Sequence, residues 1–595
     1  MGLIKPDLPE VDFDAWARKP HAQRLRPLIE HWVENGFGAP RAVYLVYVLK
    51  CALYVVGAAL VISATPGIGG LGDISTWWDE PVVYQKLVVF TLLYEVLGFG
   101  CGWGPLTSRF WPPQGGFLYW LRPRTIRLAP WPDKVPFTRG TSRTWFDIAL
   151  YVGVIASAVW LLTRPADGVS VTLENDLGVL DPVSALPLIG FLGVLGLRDK
   201  AVFLAARGEQ YWVTLFLFFL PFVDMVIGFQ LVMLALWWGA ATSKVNHHFP
   251  YVIAIMESNN PFNPKWFKRK LYRDAPTDLR PSWIPTTLAH VGTATEYLVP
   301  LYLVFFADGG TLTWVAIIYM ALFHLHILST VPMGVPLEWN LFFLFSLFYL
   351  FGAYSDVTVW DMTTPATLLV LIPLVGLPLL GNLNPRIVSF LPAMRYYAGN
   401  WATSAWFFQG DAEDRLEDHL TTTSRLPKHQ LAMLYDDQTV ALMGSKVQAW
   451  RSMHTHGRAH NGLTRRVIGD GEGWAIRDGE VVAGYAIGWN FGEGHLHNWQ
   501  LLQAIQERCH FEAGEVRVMV LESQPIHRRT QHYQIWDAKL GLVEEGDVLV
   551  ADMLTRQPWP DETEDYPVYD VRTYAPSDAT PSGAAPPAGD PAGRG

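Results

Sequence analysis

"AVYLVYVLKCALYVVGAALVISA", residues 42–64, carries a single charge, that of Lys50. A helix of this length rises about 1.5 Å per residue and covers a hydrocarbon core of roughly 30 Å. Runs of the same kind recur at 81–101, 146–162, 286–306, 314–331, 337–354 and 365–380, with a shorter one at 182–197. The run 211–241 is too long for one crossing and is interrupted by Pro221, Asp224 and Gln230. It reads as one tilted, kinked helix or as two shorter pieces. Half of the 595 residues are hydrophobic and only 17% are charged, less charge than a soluble chain of this size carries. The pattern predicts a mostly α, polytopic helical membrane bundle over 41–385, with eight to ten spans.

Loop charges predict the orientation. Residues 103–145 contain Arg109, Arg122, Arg124, Arg127, Lys134, Arg139 and Arg143, and 244–285 contain Lys244, Lys265, Lys268, Arg269, Lys270, Arg273 and Arg280. Residues 65–80 and 355–364 have acids but neither Lys nor Arg. The positive-inside rule places the basic loops, the segment 1–40 and everything after the last span in the cytoplasm. Residues 165–243 then cross an odd number of times, once or three times. The expected location is a bacterial cytoplasmic membrane, with the bilayer as the first partner. The loop 103–145 also holds Trp103, Trp111, Trp120, Trp131 and Trp145. Their rings suit the headgroup level, or equally a loop packed on helices.

The first 40 residues show no signal-peptide pattern. Three cysteines, Cys51, Cys101 and Cys509, imply no disulfide framework or thiolate metal site. A net charge of −10 argues against a nucleic-acid partner. From 395 to 565 the composition becomes that of a small soluble α+β domain. "EDRLEDHL" and "NWQLLQAIQERC" have helical periodicity, whereas "EVVAGYAIGWN", "GEVRVMVLES" and "GDVLVADML" read as strands. Residues 575–595 are Pro-, Gly- and Ala-rich and are expected to be disordered.

Lys50, Glu95, Asp224, Lys244, His290, Glu296, His324, His326 and Glu338 fall in or at the ends of spans. A charge near the bilayer centre costs at least about 2.5–3.5 kcal/mol, so such groups turn inward and pair. Lys50 and Glu95, at comparable depth in consecutive spans, are expected to form a structural ion pair. His324 and His326 are two apart, about 200° around a helix, and do not share a face. One is expected to face the bundle interior and the other a neighbouring helix.

Three stretches together resemble a known module. They are "FQLVMLALWWGAATSKVNHHFPY", "TATEYLVPLYLVFF" and "YMALFHLHILSTVPMGVPLEWNLFFLFSLF". Their order resembles the horizontally transferred transmembrane domain of vitamin K-dependent gamma-carboxylase-like proteins, over residues 40–355. The whole chain resembles actinobacterial multipass proteins grouped as a family of unknown function. The resemblance implies a lysine base at the position of Lys244, with Glu296 and His324 at recurring polar positions. A desolvated lysine at a helix end has a lowered pKa and can act as a base. In the carboxylase that chemistry lies on the lumenal side, opposite to the side expected for Lys244 here. The soluble part also shows no glutamate-substrate or propeptide-binding module, so gamma-carboxylation itself is not expected.

The soluble part is rich in histidine: "MHTHGRAH" holds His454, His456 and His460, "GEGHLHNW" holds His495 and His497, and "PIHRRTQHY" holds His527 and His532. The first five are weak metal candidates, because their spacing matches no zinc signature. Solvated or hydrogen-bonded histidines near turns are the plainer reading. "GDGEG", 469–473, does not sit between a strand and a helix, which argues against a phosphate loop. Two functions follow. One is a membrane-embedded enzyme acting on a quinone or lipid through Lys244, Glu296 and His324. The other is a non-catalytic scaffold, membrane-protein partner subunit or lipid carrier.

Overall fold

The computed structural model describes residues 2–100, 116–169, 171, 177–331, 337–394, 397–469, 472–489, 493–559 and 565–574. Cys101, Trp103, Arg109, Trp111 and the tail 575–595 lie outside them. In chain order the main helices are α1 (His21–Asn35), α2 (Arg41–Ser63), α3 (Pro81–Val96), α4 (Trp145–Thr163), α5 (Leu186–Arg198), α6 (Gly208–Leu217) and α7 (Phe222–Lys244). They continue with α8 (Phe249–Asn259), α9 (Lys265–Lys270), α10 (Trp283–Phe305), α11 (Thr311–Ser329), α12 (Leu337–Phe348) and α13 (Thr364–Leu383, with a π turn at Ile372–Gly376). Among the described residues five helices are long and apolar enough to cross a membrane: α2, α4, α7, α11 and α13. The protein is mostly helical, and these five are its candidate membrane spans.

Local chemistry sets the ends. Thr144 and Asp147 form a reciprocal capping box at the start of α4. Pro221 precedes α7 and lacks a donor N–H, so the long apolar run splits there into α6 and α7. α3 is a central helix buried on nearly every side, its polar Gln85, Lys86 and Glu95 included. Inside a bilayer apolar burial supplies little driving force, so close packing and polar pairs hold helices together. A methyl group at Gly153 of α4 would lie 2.7 Å from the Phe191 ring of α5, which shows how near these helices approach.

Two rims organise the bundle. At one, Tyr354 Oη donates to Asp79 O (2.7 Å), Thr363 N to Asp224 Oδ1 (2.8 Å) and Trp360 Nε1 to Phe305 O (3.2 Å). At the other, the basic loops and the connection between α5 and α6 meet the C-terminal part of the chain. Tyr119 Oη donates to Tyr485 O (3.0 Å), Lys200 Nζ to Gln500 Oε1 (2.7 Å), and His248 Nε2 lies 3.0 Å from Gln524 Oε1. Of the tryptophans of the loop 103–145 that are described, Trp120 is buried against Tyr151 and Trp489, whereas Trp131 and Trp145 are exposed. The loop is therefore partly packed inside.

After a two-stranded hairpin, β1 (Tyr272–Asp274) and β2 (Asp278–Pro281), the C-terminal part builds one six-stranded antiparallel sheet. Its strands are β3 (Thr403–Gln409), β4 (Trp474–Asp478), β5 (Val516–Leu521), β6 (Thr530–Asp537), β7 (Gly541–Leu549) and β8 (Tyr569–Thr573), in the order β4-β3-β5-β6-β7-β8. Helices α14 (Asp437–Met453), α15 (Thr455–Ile468), α16 (Gly479–Ala486), α17 (Trp499–Cys509) and α18 (Val550–Thr555) accompany it. Side chains alternate across a strand. Phe407, Met519 and Leu521 pack with Ala459, Leu463 and Val467 of α15, while Trp406, Phe408 and Val518 join a core that runs on into the bundle.

Two strand expectations are corrected. Of "EVVAGYAIGWN", Glu480–Ala486 lie in α16, because the Asp478 side chain caps it by accepting from Glu480 N (2.9 Å) and small residues let it bury closely; Asn490 lies outside the described residues. In "GDVLVADML" the strand ends at Leu549 and α18 follows.

Candidate functional site

Helices α7 and α10 bring Lys244 and Glu296 together. Lys244 Nζ donates to Glu296 Oε2, with Glu296 buried and Lys244 nearly so. Beside this pair Trp238 Nε1 donates to Tyr297 O (3.1 Å), fixing the register of the two helices. His324 of α11 makes other contacts. Trp237 Nε1 donates to His324 Nε2 at 3.0 Å, so Nδ1 carries the proton and donates to Asn340 Oδ1 at 2.9 Å. The ring joins α7, α11 and α12. Trp237 precedes Lys244 by seven residues, about 10 Å along the helix axis. The structure therefore joins Lys244 to Glu296 and gives His324 a separate set of partners.

His326 faces away from His324, as the two-residue spacing requires. Its Nε2 lies 2.8 Å from Glu257 Oε1 of α8. Asp224 holds the backbone and side chain of Thr363, each at 2.8 Å, and His290 is exposed on α10.

The most deeply buried charges lie elsewhere. Arg207 Nη1 donates to Glu95 Oε1 (3.1 Å) and to Glu338 Oε1, and the guanidinium stands 5.5 Å from the Trp339 ring. Arg207, Glu95 and Glu338 are all essentially inaccessible. Lys50 Nζ donates to Gly100 O at 2.6 Å, and Tyr94 Oη donates to Lys50 O at 2.9 Å. Glu95 thus has Arg207 as a partner that the pairing of spans did not reveal. Arg207 adopts a left-handed backbone (φ 50°) immediately before α6. The available signal was a lone Arg-Gly between two apolar stretches.

The five candidate histidines of the C-terminal part are all buried, not solvated. Arg451 of α14 donates to Asp478 Oδ2 (2.5 Å) and Glu480 Oε1 (3.0 Å), and its Nη1 meets His456 Nε2 at 2.8 Å. His460 Nε2 lies 2.7 Å from Thr403 Oγ1, and His497 Nδ1 lies 2.7 Å from Ser404 Oγ. His454 Nδ1 is 3.0 Å from Trp450 O and its ring stacks on that of His456. Burial, helped by the Arg451 guanidinium, lowers the pKa of His454 and His460 to about 3. Burial does the same to His497. These rings are neutral at ordinary pH.

His495 is the opposite case. Burial disfavours its charge, but the carboxylates of Glu522 and Glu493 outweigh that and push it up to about 10. Its Nε2 donates to Glu522 Oε2 at 3.1 Å, and its ring is ion-paired with Glu493, whose Oε1 accepts from the His495 backbone N (3.1 Å). Among the described residues no three His, Cys, Asp or Glu side chains are grouped to hold a metal. Gly469 and Gly473 flank a connection from helix α15 to strand β4, the reverse of a phosphate-loop order; residues 470 and 471 lie outside the described residues.

A family model described as a transmembrane protein of unknown function (DUF3556) matches residues 1–571. The chain belongs to that family, and its apolar helices agree with a place in the bilayer. No curated protein and no solved structure matches it.

Proposed function

We propose that this transmembrane-family chain is a non-catalytic membrane protein, a scaffold or partner subunit, whose buried polar groups lock helices to one another. The observation that carries this reading is His324, whose two ring nitrogens are both engaged, by Trp237 and Asn340. Lys244 is likewise neutralised by Glu296. A catalyst needs a nitrogen or carboxylate within reach of its substrate, and this arrangement spends those groups on helix contacts.

With the loop charges this reading takes ten traverses, α2, α3, α4, α5, α6, α7, α10, α11, α12 and α13, of which α6, ten residues or about 15 Å long, covers only half of the hydrocarbon core. Three of them, α5, α6 and α7, fall within 165–243. Residues 1–40, the basic loops and a sheet domain of about 395–565 form one body on the cytoplasmic face of a bacterial cytoplasmic membrane. Support comes from the contacts at the two rims and from the loop charges.

An enzyme acting on a quinone or lipid is the second reading. It is favoured by the residual exposure of the Lys244 side chain, 12%, at the end of α7. Thermal unfolding in detergent separates the two. Under the packing role Lys244→Met and Glu296→Leu each lower Tm, and the double variant regains most of the loss. Loss of a co-purifying quinone or lipid in Lys244→Met at unchanged Tm, read by native mass spectrometry, would instead overturn the packing role and favour a site for a lipophilic ligand at Lys244, with chemical conversion of that ligand by the wild type alone marking the enzyme.

A further inference from the structure

The segment between α8 and α10 is pinned to the start of α10 and the end of α11. Asn260 Nδ2 donates to Ser329 Oγ, in the last residue of α11, at 3.0 Å. Ser282 Oγ, at the cap of α10, donates to Lys270 O at 2.6 Å. Helix α9 therefore lies along the rim, at the level where α10 and α11 end. Its inner side packs against the protein: Lys268 is buried and Phe267 joins the core around α1.

Its outer side is unusual for a water-facing surface. Phe262, Trp266 and Trp283 are 79%, 61% and 76% exposed. Lys270 is exposed as well, with its ammonium 5.2 Å from the Trp266 ring and its carbonyl bonded by Ser282, the neighbour of Trp283. Lys265 and Arg269, one turn away, share the single carboxylate of Glu34, with Lys265 Nζ at 3.3 Å. Lys270 has no carboxylate within 4 Å among the described residues. The patch is thus aromatic and net positive, and it borders the acyl region through Trp283, the first residue of α10. Amphipathic rings favour the headgroup layer, and a basic side chain there favours anionic lipid.

We propose that Phe262, Trp266, Lys270 and Trp283, with Lys265 beside them, dock the headgroup of an anionic phospholipid of the cytoplasmic leaflet. The phosphate meets the two ammonium groups and the rings flank the glycerol region. This rests on the reading that α10 and α11 cross the bilayer with these ends inward. Solubility of the chain without detergent would remove that reading separately from anything said about headgroups.

The test uses the full chain in a neutral detergent, titrated with phosphatidylglycerol, phosphatidylcholine or inorganic phosphate, with Tm and native mass spectrometry as readouts. Phosphatidylglycerol is expected to be retained preferentially and to raise Tm, with inorganic phosphate having no effect. Lys270→Gln is expected to lower the preference about fivefold, the equivalent of about 1 kcal/mol for a basic side chain near an anionic surface. Lys270→Arg is expected to keep it, and Trp266→Ala to weaken retention of both lipids. Because Lys270 and Trp266 are exposed, the variants are expected to elute as the wild type does. Equal retention of the two lipids by the wild type, an unchanged preference in Lys270→Gln, or replacement of the lipid by inorganic phosphate would each overturn the proposal.

Discussion

Arg207 Nη1 lies 3.1 Å from Glu95 Oε1, although 112 residues separate them in the chain. The pair joins the C-terminal end of α3 to the start of α6, and Glu338 at the start of α12 closes the group. With Lys50 close by through Gly100, two cations and two carboxylates occupy one enclosed region. Their formal charges cancel, which is what a low-dielectric interior demands of charges it retains.

Removing one member of that group leaves an uncompensated buried charge. Arg207→Met is expected to cost about 3–5 kcal/mol, whereas replacing Arg207, Glu95 and Glu338 together by apolar residues of similar size costs far less. Unfolding of the purified protein in detergent, followed by circular dichroism, measures both. Equal losses in the single and triple variants would show that packing, not charge pairing, sets the stability here.

The hydrogen bond from Trp237 to His324 carries a second expectation. Trp237→Phe leaves His324 Nε2 without its donor and is expected to cost about 1–3 kcal/mol. His326→Gln, at a half-exposed ring, is expected to have a smaller effect. Comparison of the two Tm values checks the order.

His495 predicts a pH-dependent difference. Its folded pKa, about 10, lies above the ordinary 6.5. The stabilisation it supplies is therefore complete below about pH 6.5 and is lost as pH rises through 10. The stability gap between the wild type and His495→Gln is expected to be largest near pH 6 and to close towards pH 10. His460 acts with the opposite sign. Its folded pKa, about 3, lies below 6.5, so the stability that depends on its neutral ring falls as pH drops from about 6.5 towards 3. Denaturation midpoints at a series of pH values test both.

Gln210 and Tyr211 of α6 are buried beside a small cavity of about 10 Å³ that is also lined by Thr214, Phe229 and Met233. Neither the Gln210 amide nor the Tyr211 hydroxyl has a hydrogen-bond partner among the described residues. Unpaired buried polar groups cost about 1–3 kcal/mol each. Gln210→Met is accordingly expected to raise Tm or leave it unchanged, and a clear drop would show that the amide is bonded in the native protein.

Orientation is open to chemical labelling. After Cys51, Cys101 and Cys509 are replaced by Ser, Asp356→Cys is expected to react with an impermeant maleimide in intact cells. Arg269→Cys is expected to react only after lysis. Both positions are exposed, so access to the reagent decides the result. The reverse pattern would invert the assigned sides.

The sequence by itself determined the class of protein, the positions of most apolar helices and the grouping of the loop charges. Those features depend on run length and on residue type at each position, and both are written locally. The opposite facing of His324 and His326 was legible for the same reason, since a helix turns by a constant angle per residue. Partner choice was not legible. Glu95 has Arg207 as a partner from a connection between apolar stretches, His324 turns to Trp237 and Asn340 and not to the Lys244–Glu296 pair, and the histidines of the C-terminal part are interior. In the same way, Glu480–Ala486, which read as part of a strand, became a helix under a cap and in a confined site. Such outcomes depend on which surfaces meet across hundreds of residues, and only the packed tertiary structure sets the desolvation and the distances that decide them.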